Sequence, residues 1–145
     1  MANETNMAPI EKTVILNVDK DTVWEAISTS QGLKSWWMPN NFKAQLGQTF
    51  TLFAGDYGDS PCEVTALQPK DTLSFNWGKD WNITFKLERI EENITKFTLI
   101  HDEWDEEKET EFGQPHSLVR SFMSRGWDNI VNNRLPKYLT SNNKM

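Results

Sequence analysis

Trp81-Asn82-Ile83-Thr84-Phe85-Lys86-Leu87-Glu88 is the stretch on which the fold turns. Apolar and polar side chains alternate strictly through it. A period of two puts Trp81, Ile83, Phe85 and Leu87 on one face and Asn82, Thr84, Lys86 and Glu88 on the other. Glu91-Glu92-Asn93 then turns the chain, and Phe97, Leu99 and His101 carry the same face along a second strand. The pattern also runs backwards. Leu73, Phe75 and Trp77 oppose Ser74 and Asn76, between turns at Pro69-Lys70-Asp71 and Gly78-Lys79-Asp80. Before them Cys62, Val64 and Ala66 alternate with Glu63, Thr65 and Leu67. Phe50, Leu52 and Ala54 alternate with Thr49, Thr51 and Phe53 ahead of a turn from Gly55 to Ser60. Loops this short make successive strands antiparallel neighbours, with one greasy face and one wet face.

The greasy face needs a cover, and the C-terminal segment supplies it. Residues 118 to about 140 carry Leu118, Phe122, Met123, Trp127, Ile130, Val131, Leu135 and Tyr138 as one broad helical stripe, with Ser117 as the predicted N-cap. At about 1.5 Å per residue such a helix spans roughly 35 Å, enough to cross a sheet. Pro136 lacks an amide hydrogen and crowds the Asn132 carbonyl, which predicts a kink or a frayed last turn. At the other end, β-branched residues predict a first strand over Thr13–Val18. Asp19 caps a helix whose face carries Val23, Trp24 and Ile27. Gly32 interrupts it. Leu33, Trp36 and Trp37 mark a second short helix, stopped where Pro39 disfavours a helical Met38.

At 145 residues this is one domain, read as residues 10–140 between a polar tail over 1–9 and a short tail over 141–145. The net charge of −6 argues against a nucleic-acid partner. Residues 102–111 hold seven acids and one base, Lys108, and so account for that whole charge; the rest of the chain balances. The lone Cys62 excludes a disulfide framework and a CxxC site. No phosphate-binding glycine motif occurs. Without a leader or an apolar run near the ~20 residues of a membrane span, the expected location is the cytoplasm, with no membrane insertion. The sequons at Asn82 and Asn93 then read as strand residues. One oddity is left: seven Trp and eight Phe against two Tyr.

The order of elements resembles the helix-grip fold of the START-like (SRPBCC) superfamily. Within it, the chain is similar to the branch of activators of the heat-shock protein 90 ATPase. The resemblance is carried by Val23-Trp24-Glu25-Ala26-Ile27-Ser28-Thr29 and Leu33-Lys34-Ser35-Trp36-Trp37. Phe97-Thr98-Leu99-Ile100-His101 and Gly126-Trp127-Asp128-Asn129-Ile130-Val131-Asn132 complete it. It implies an α+β fold in which a curved antiparallel sheet of six to seven strands wraps a long C-terminal helix, with two short helices after strand 1. It also implies a deep apolar cavity between sheet and helix. Superfamily members bind lipids, polyketides and other hydrophobic small molecules there, and a minority are enzymes.

The residues agree with a shared interior. On the faces read above, Phe50, Trp77, Trp81, Phe85, Phe97, Phe122, Met123 and Trp127 converge. Each alone also fits plain core packing. Trp36 and Trp37 are adjacent, so one anchors the short helix and the other, Trp37, faces a cavity mouth. Met38 and Met123 are adaptable fillers for a site that accommodates a ligand. Gly126 leaves room beside Trp127, or lets helix and sheet approach closely. His101 on the inner face can anchor a ligand's oxygen, act as acid or base, or be a satisfied core histidine. No catalytic residue and no cofactor follow from this set. His101, Asp102 and Glu103 are contiguous and cannot converge on a metal within a strand, and His116 is distant.

Three functions fit. The first is binding of a small lipid-, polyketide- or flavonoid-like molecule. The second is a co-chaperone-like module docking on a chaperone or other protein partner through acidic segment 102–111, which otherwise reads as a solvated loop. The branch name comes from a domain that works beside a second one, and this chain is expected to lack that companion. A cyclase- or dehydratase-like enzyme is the third, with His101 as its one visible candidate.

Overall fold

Six strands form a single antiparallel sheet in the order β1-β6-β5-β4-β3-β2. They are β1 (Ile10–Leu16), β2 (Thr49–Phe53), β3 (Asp59–Gln68), β4 (Thr72–Trp77), β5 (Trp81–Glu91) and β6 (Ile94–Asp102). This computed structural model describes residues 7–53, 59–78, 81–105, 107–109 and 113–143, with side chains to 140. Ala54, most of the turn that follows it, Lys79, Asp80, Glu106 and Glu111 lie outside the described residues, as do 1–6, 144 and 145. The helices are α1 (Lys20–Ile27), α2 (Ser30–Trp36), α3 (His116–Asn129) and α4 (Leu135–Asn143), the last two joined by a π-helical turn, Ile130–Arg134.

The alternation that announces β5 is realised: Trp81, Ile83, Phe85 and Leu87 are buried while Lys86 and Glu88 are exposed. On β6 the inner face continues through Thr95, Phe97, Leu99 and His101. The first strand starts earlier than predicted, at Ile10, and ends at Leu16. Val18 lies beyond it, its carbonyl accepting Thr95 Oγ1–H at 2.7 Å. On β3 the simple alternation fails. Pairing passes from Val64–Phe75 to Ala66–Ser74 across a bulge, so Leu67, not Ala66, shares a face with Leu73. One extra residue on one strand shifts every later side chain by half a period.

Asp19 caps α1 as expected, accepting from Thr22 N at 3.2 Å and Thr22 Oγ1 at 2.6 Å, and these bonds hold its carboxyl below the ordinary 3.8. Gly32 has a steric reason. A Cβ there would meet the Ala26 carbonyl oxygen at 2.4 Å, so α2 can cross α1 at this distance only over glycine.

The N-terminus of α3 corrects the predicted cap. The helix starts at His116, and Pro115 (φ −60°, ψ 135°) occupies the cap position in place of Ser117. Pro115 has the extended backbone of a cap, and its carbonyl accepts from the Leu118 and Val119 amides. Pro136 neither frays nor ends the C-terminal helix. Immediately before it the ladder widens, with Leu135 N–H bonding the Ile130 carbonyl, and α4 continues to Asn143. Proline brings no donor to the Asn132 carbonyl, and the wider turn precedes that break.

Candidate functional site

The two arms of the grip meet in two different ways along the C-terminal helix. At one end α1 and α2 plug the sheet: Trp36 is fully buried, donates Nε1–H to the Ala26 carbonyl at 2.8 Å, and packs edge-on against Phe85 and Phe97. At the other end, α3 stands off the ends of β2–β5 and encloses a cavity of about 470 Å³. That volume suits a small organic ligand.

Seven of the predicted site residues line the cavity: Trp37, Met38, Trp77, Trp81, Phe122, Met123 and Trp127. Four do not. Phe85 and Phe97 lie under Trp36 with no exposure, and Phe50 is packed between Phe42 and Phe75 at 5.0 and 5.2 Å. His101 sits behind the wall rather than in it. Both adjacent tryptophans are buried, because Trp37 has left the helix: at φ −124°, ψ −89° it turns its ring toward Trp127, 5.1 Å away. Gly126 lines the cavity and faces open space, so that a Cβ at this position would meet nothing within 4 Å. Room beside Trp127, not close approach, is its role.

Alternation did not expose Phe53 and Ser60, which sit on the rim at the open ends of β2 and β3. Val119 and Ile130 also line the cavity, and Val119 is buried where Leu118 is 48% exposed. A four-residue series was the available signal: Val119, Met123, Trp127, Val131, Leu135 and Leu139 are all buried or half-buried. Each four-residue step overshoots an α-helical turn by about 40°. The wider π-turn returns part of that drift and keeps the series facing the sheet.

His101 is enclosed by aromatic rings. Trp104 lies 4.6 Å away, tilted by 37°, and donates Nε1–H to the His101 carbonyl at 2.9 Å, while Trp127 donates Nε1–H to His101 Nδ1 at 2.9 Å. Trp104 and His116 complete this box, and neither stood out from sequence pattern. His116 is fully buried, with Nδ1 accepting the Asp105 amide at 3.2 Å. Desolvation, reinforced by Arg120 and then His116, holds the His101 imidazole well below its ordinary 6.5, so it is neutral near pH 7. Its Nε2 and the Nε1 of Trp81 are buried with no hydrogen-bond acceptor among the described residues, a cost of about 1–3 kcal/mol for each such group. Among the described residues no three His, Cys, Asp or Glu side chains gather as metal ligands. Arg120 bonds the Ala8 and Pro9 carbonyls, and Lys12 pairs with Asp128 at 2.9 Å, tying α3 to the β1 edge.

A curved antiparallel sheet closed around a long helix, with an apolar cavity under that helix, defines a helix-grip protein of the START-like class. The model for the Activator of Hsp90 ATPase homolog 1-like protein family matches residues 17–140, and the chain belongs to that family. The solution structure of Bacillus halodurans BH1534 is 40% identical, with a TM-score of 0.83 over 93% of this chain and 99% of that one. PFC0360w, an HSP90 activator from Plasmodium falciparum, is 20% identical, with a TM-score of 0.68 over 88% of this chain and 93% of that one. DynU16, a protein of the dynemicin biosynthetic locus, is 23% identical with a TM-score of 0.75, and the match covers 94% of this chain and 48% of that one. At such identities the last two report a shared fold. No curated protein matches the chain. Among the described residues no helix is long and apolar enough to cross a membrane.

Proposed function

We propose that the protein binds a small hydrophobic molecule in the cavity beneath α3, in the cytoplasm. The observation that carries this is the unfilled space itself: about 470 Å³ walled by Trp37, Trp77, Trp81 and Trp127, beside an end of the same interior that is packed solid. Interiors close-pack wherever their side chains allow it, so a void walled by large rings is a place for a guest. Met38 and Met123 at the wall supply adaptable contacts. The likeness in fold to a protein of a biosynthetic locus supports the same reading. His101 does not line the cavity and its Nδ1 is already engaged by Trp127, which weighs against acid–base chemistry. Mass spectrometry of an organic extract, followed by calorimetric titration with lipid and polyketide-like compounds, tests the proposal. Failure of every apolar compound to bind or to raise the melting temperature would sink it.

Family membership favours a second reading, a module that docks on a chaperone or another protein. Its acidic segment, 102–111, is described only in part. A pull-down whose salt-sensitive partner is lost on neutralising residues 103–111 would support it, and retention of that partner would remove the segment's role.

A further inference from the structure

The wall of the cavity holds a chemical mismatch. Among the described residues, two buried side-chain nitrogens lack a hydrogen-bond acceptor, Trp81 Nε1 and His101 Nε2. Their rings are neighbours, 5.2 Å between centroids and 79° between planes. Trp127 Nε1–H already donates to His101 Nδ1. A neutral imidazole that accepts at Nδ1 carries its proton on Nε2. Both unmatched nitrogens are therefore N–H donors. The neighbouring indoles differ, since Trp36, Trp104 and Trp127 each donate to a protein acceptor at 2.8–2.9 Å. Trp81 lines the cavity, and His101 lies against it one layer behind.

The rest of the lining limits what oxygen can enter. Among the described residues Ser60 and Gln114 are its polar side chains, and no Lys, Arg, Asp or Glu of those residues lines it. A carboxylate or phosphate taken to this wall would lose its hydration with no cation among the described lining residues to replace it. A neutral carbonyl brings an acceptor without that penalty. Two neighbouring donors also match an oxygen with two lone pairs.

We propose that Trp81 and His101 form a two-donor subsite that receives a neutral acceptor oxygen, a ketone, quinone or lactone carbonyl, on an otherwise apolar ligand. This rests on the ligand-binding reading above and names the chemistry of the ligand's inner end. Both nitrogens lie beneath the wall, so the carbonyl engages them as the Trp81 indole turns on its side-chain torsions, a change of the size common at binding sites. Its apolar body then lies along Met123 and Trp127 toward the mouth at Phe122.

A matched pair of probes tests this: 2-acetylnaphthalene and 2-isopropenylnaphthalene, equal in shape and differing by a carbonyl oxygen against a methylene. Calorimetry on the wild type is expected to show the ketone about tenfold tighter, the worth of one well-made hydrogen bond. In Trp81→Phe, which keeps an aromatic ring in the wall, the ratio of ketone to alkene affinity falls to about twofold or less, whatever the smaller ring does to both affinities together. In wild-type protein labelled with ¹⁵N, the Trp81 indole N–H resonance shifts downfield with the ketone and not with the alkene, so the proposal stays testable if the variant folds poorly. Equal affinities with an unmoved indole signal would overturn the subsite and leave the cavity reading standing, with the donors satisfied by ring faces. Binding of neither probe, nor of the compounds in the screen above, would remove the cavity reading and the subsite with it.

Discussion

The two ends of the interior are built from the same kind of side chain and do opposite things. Trp36, Phe85 and Phe97 at the closed end have no exposure. Trp37, Trp77 and Trp127 at the open end are also buried from solvent, yet they border about 470 Å³ of space. Ring chemistry does not separate them; the covering element does. At the closed end α1 lies close on β5 and β6, and α2, crossing α1 over Gly32, fills the remaining space with Trp36, whereas α3 presents Phe122, Met123 and Gly126 to the cavity. Aromatic residues on a sheet become core or cavity wall according to how near the next layer can come.

The comparison breaks first at its closed end. Trp36→Ala removes a fully buried indole and its bond to Ala26, and should cost about 3–5 kcal/mol in urea unfolding. A loss below about 1 kcal/mol would mean that this end is not close-packed. Next, Gly32→Ala should destabilise by about 1–3 kcal/mol, since backbone stands 2.4 Å from the new carbon and α1 and α2 must part.

A pH titration sharpens the boundary between the ends, where His101 sits. Above its ordinary value of 6.5 the imidazole is neutral both folded and unfolded, and contributes no slope. Below 6.5 the unfolded chain takes up a proton that the buried ring refuses until well lower. Stability should therefore fall as pH drops through that window, by up to about 1.4 kcal/mol per pH unit for this one group. Arg120 and His116 face the same ring and add to the resistance. Equilibrium unfolding at several pH values checks it, and a His101→Gln variant should show a shallower slope.

At the open end the effects shrink or reverse. Gly126→Ala should raise stability by up to about 1 kcal/mol, because a mid-helix glycine gains helical propensity and its new carbon meets nothing. The larger Gly126→Leu should weaken ligand binding by filling the space beside Trp127. Smallest in stability is Phe122→Ala, within about 0.5 kcal/mol at a side chain 58% exposed, with a several-fold loss of apolar ligand affinity as the readout that matters. A large stability loss there would show that Phe122 is core, and the contrast between the ends would collapse.

Much of this architecture is legible in the residues alone, and the exceptions have local causes. Strict alternation places Trp81, Phe85 and Phe97 on the inner face, but a period of two knows faces and not depth. It does not say that Phe85 lies under Trp36 while Trp81 borders space. The bulge after Val64 is invisible to it because an extra residue leaves no compositional mark. A broadly drawn stripe favours Leu118 over Val119, where the four-residue series from Val119 to Leu139 sets the true phase. Trp104 escapes the pattern because it follows the end of β6, where Glu103 at φ 72° turns the chain and alternation stops.

The sequence by itself determined which side chains face inward, the antiparallel order of the strands and the helix that covers them, because periodicity and short turns are local properties of the chain. Only the tertiary structure decided that His101 is a neutral acceptor for Trp127 and that Trp81 has no acceptor among the described residues. Partners far apart in the chain, such as residues 101 and 127, are chosen by the curvature of the sheet and the stand-off of α3. The cavity has the same origin: it is the volume left between layers, and no single residue encodes it.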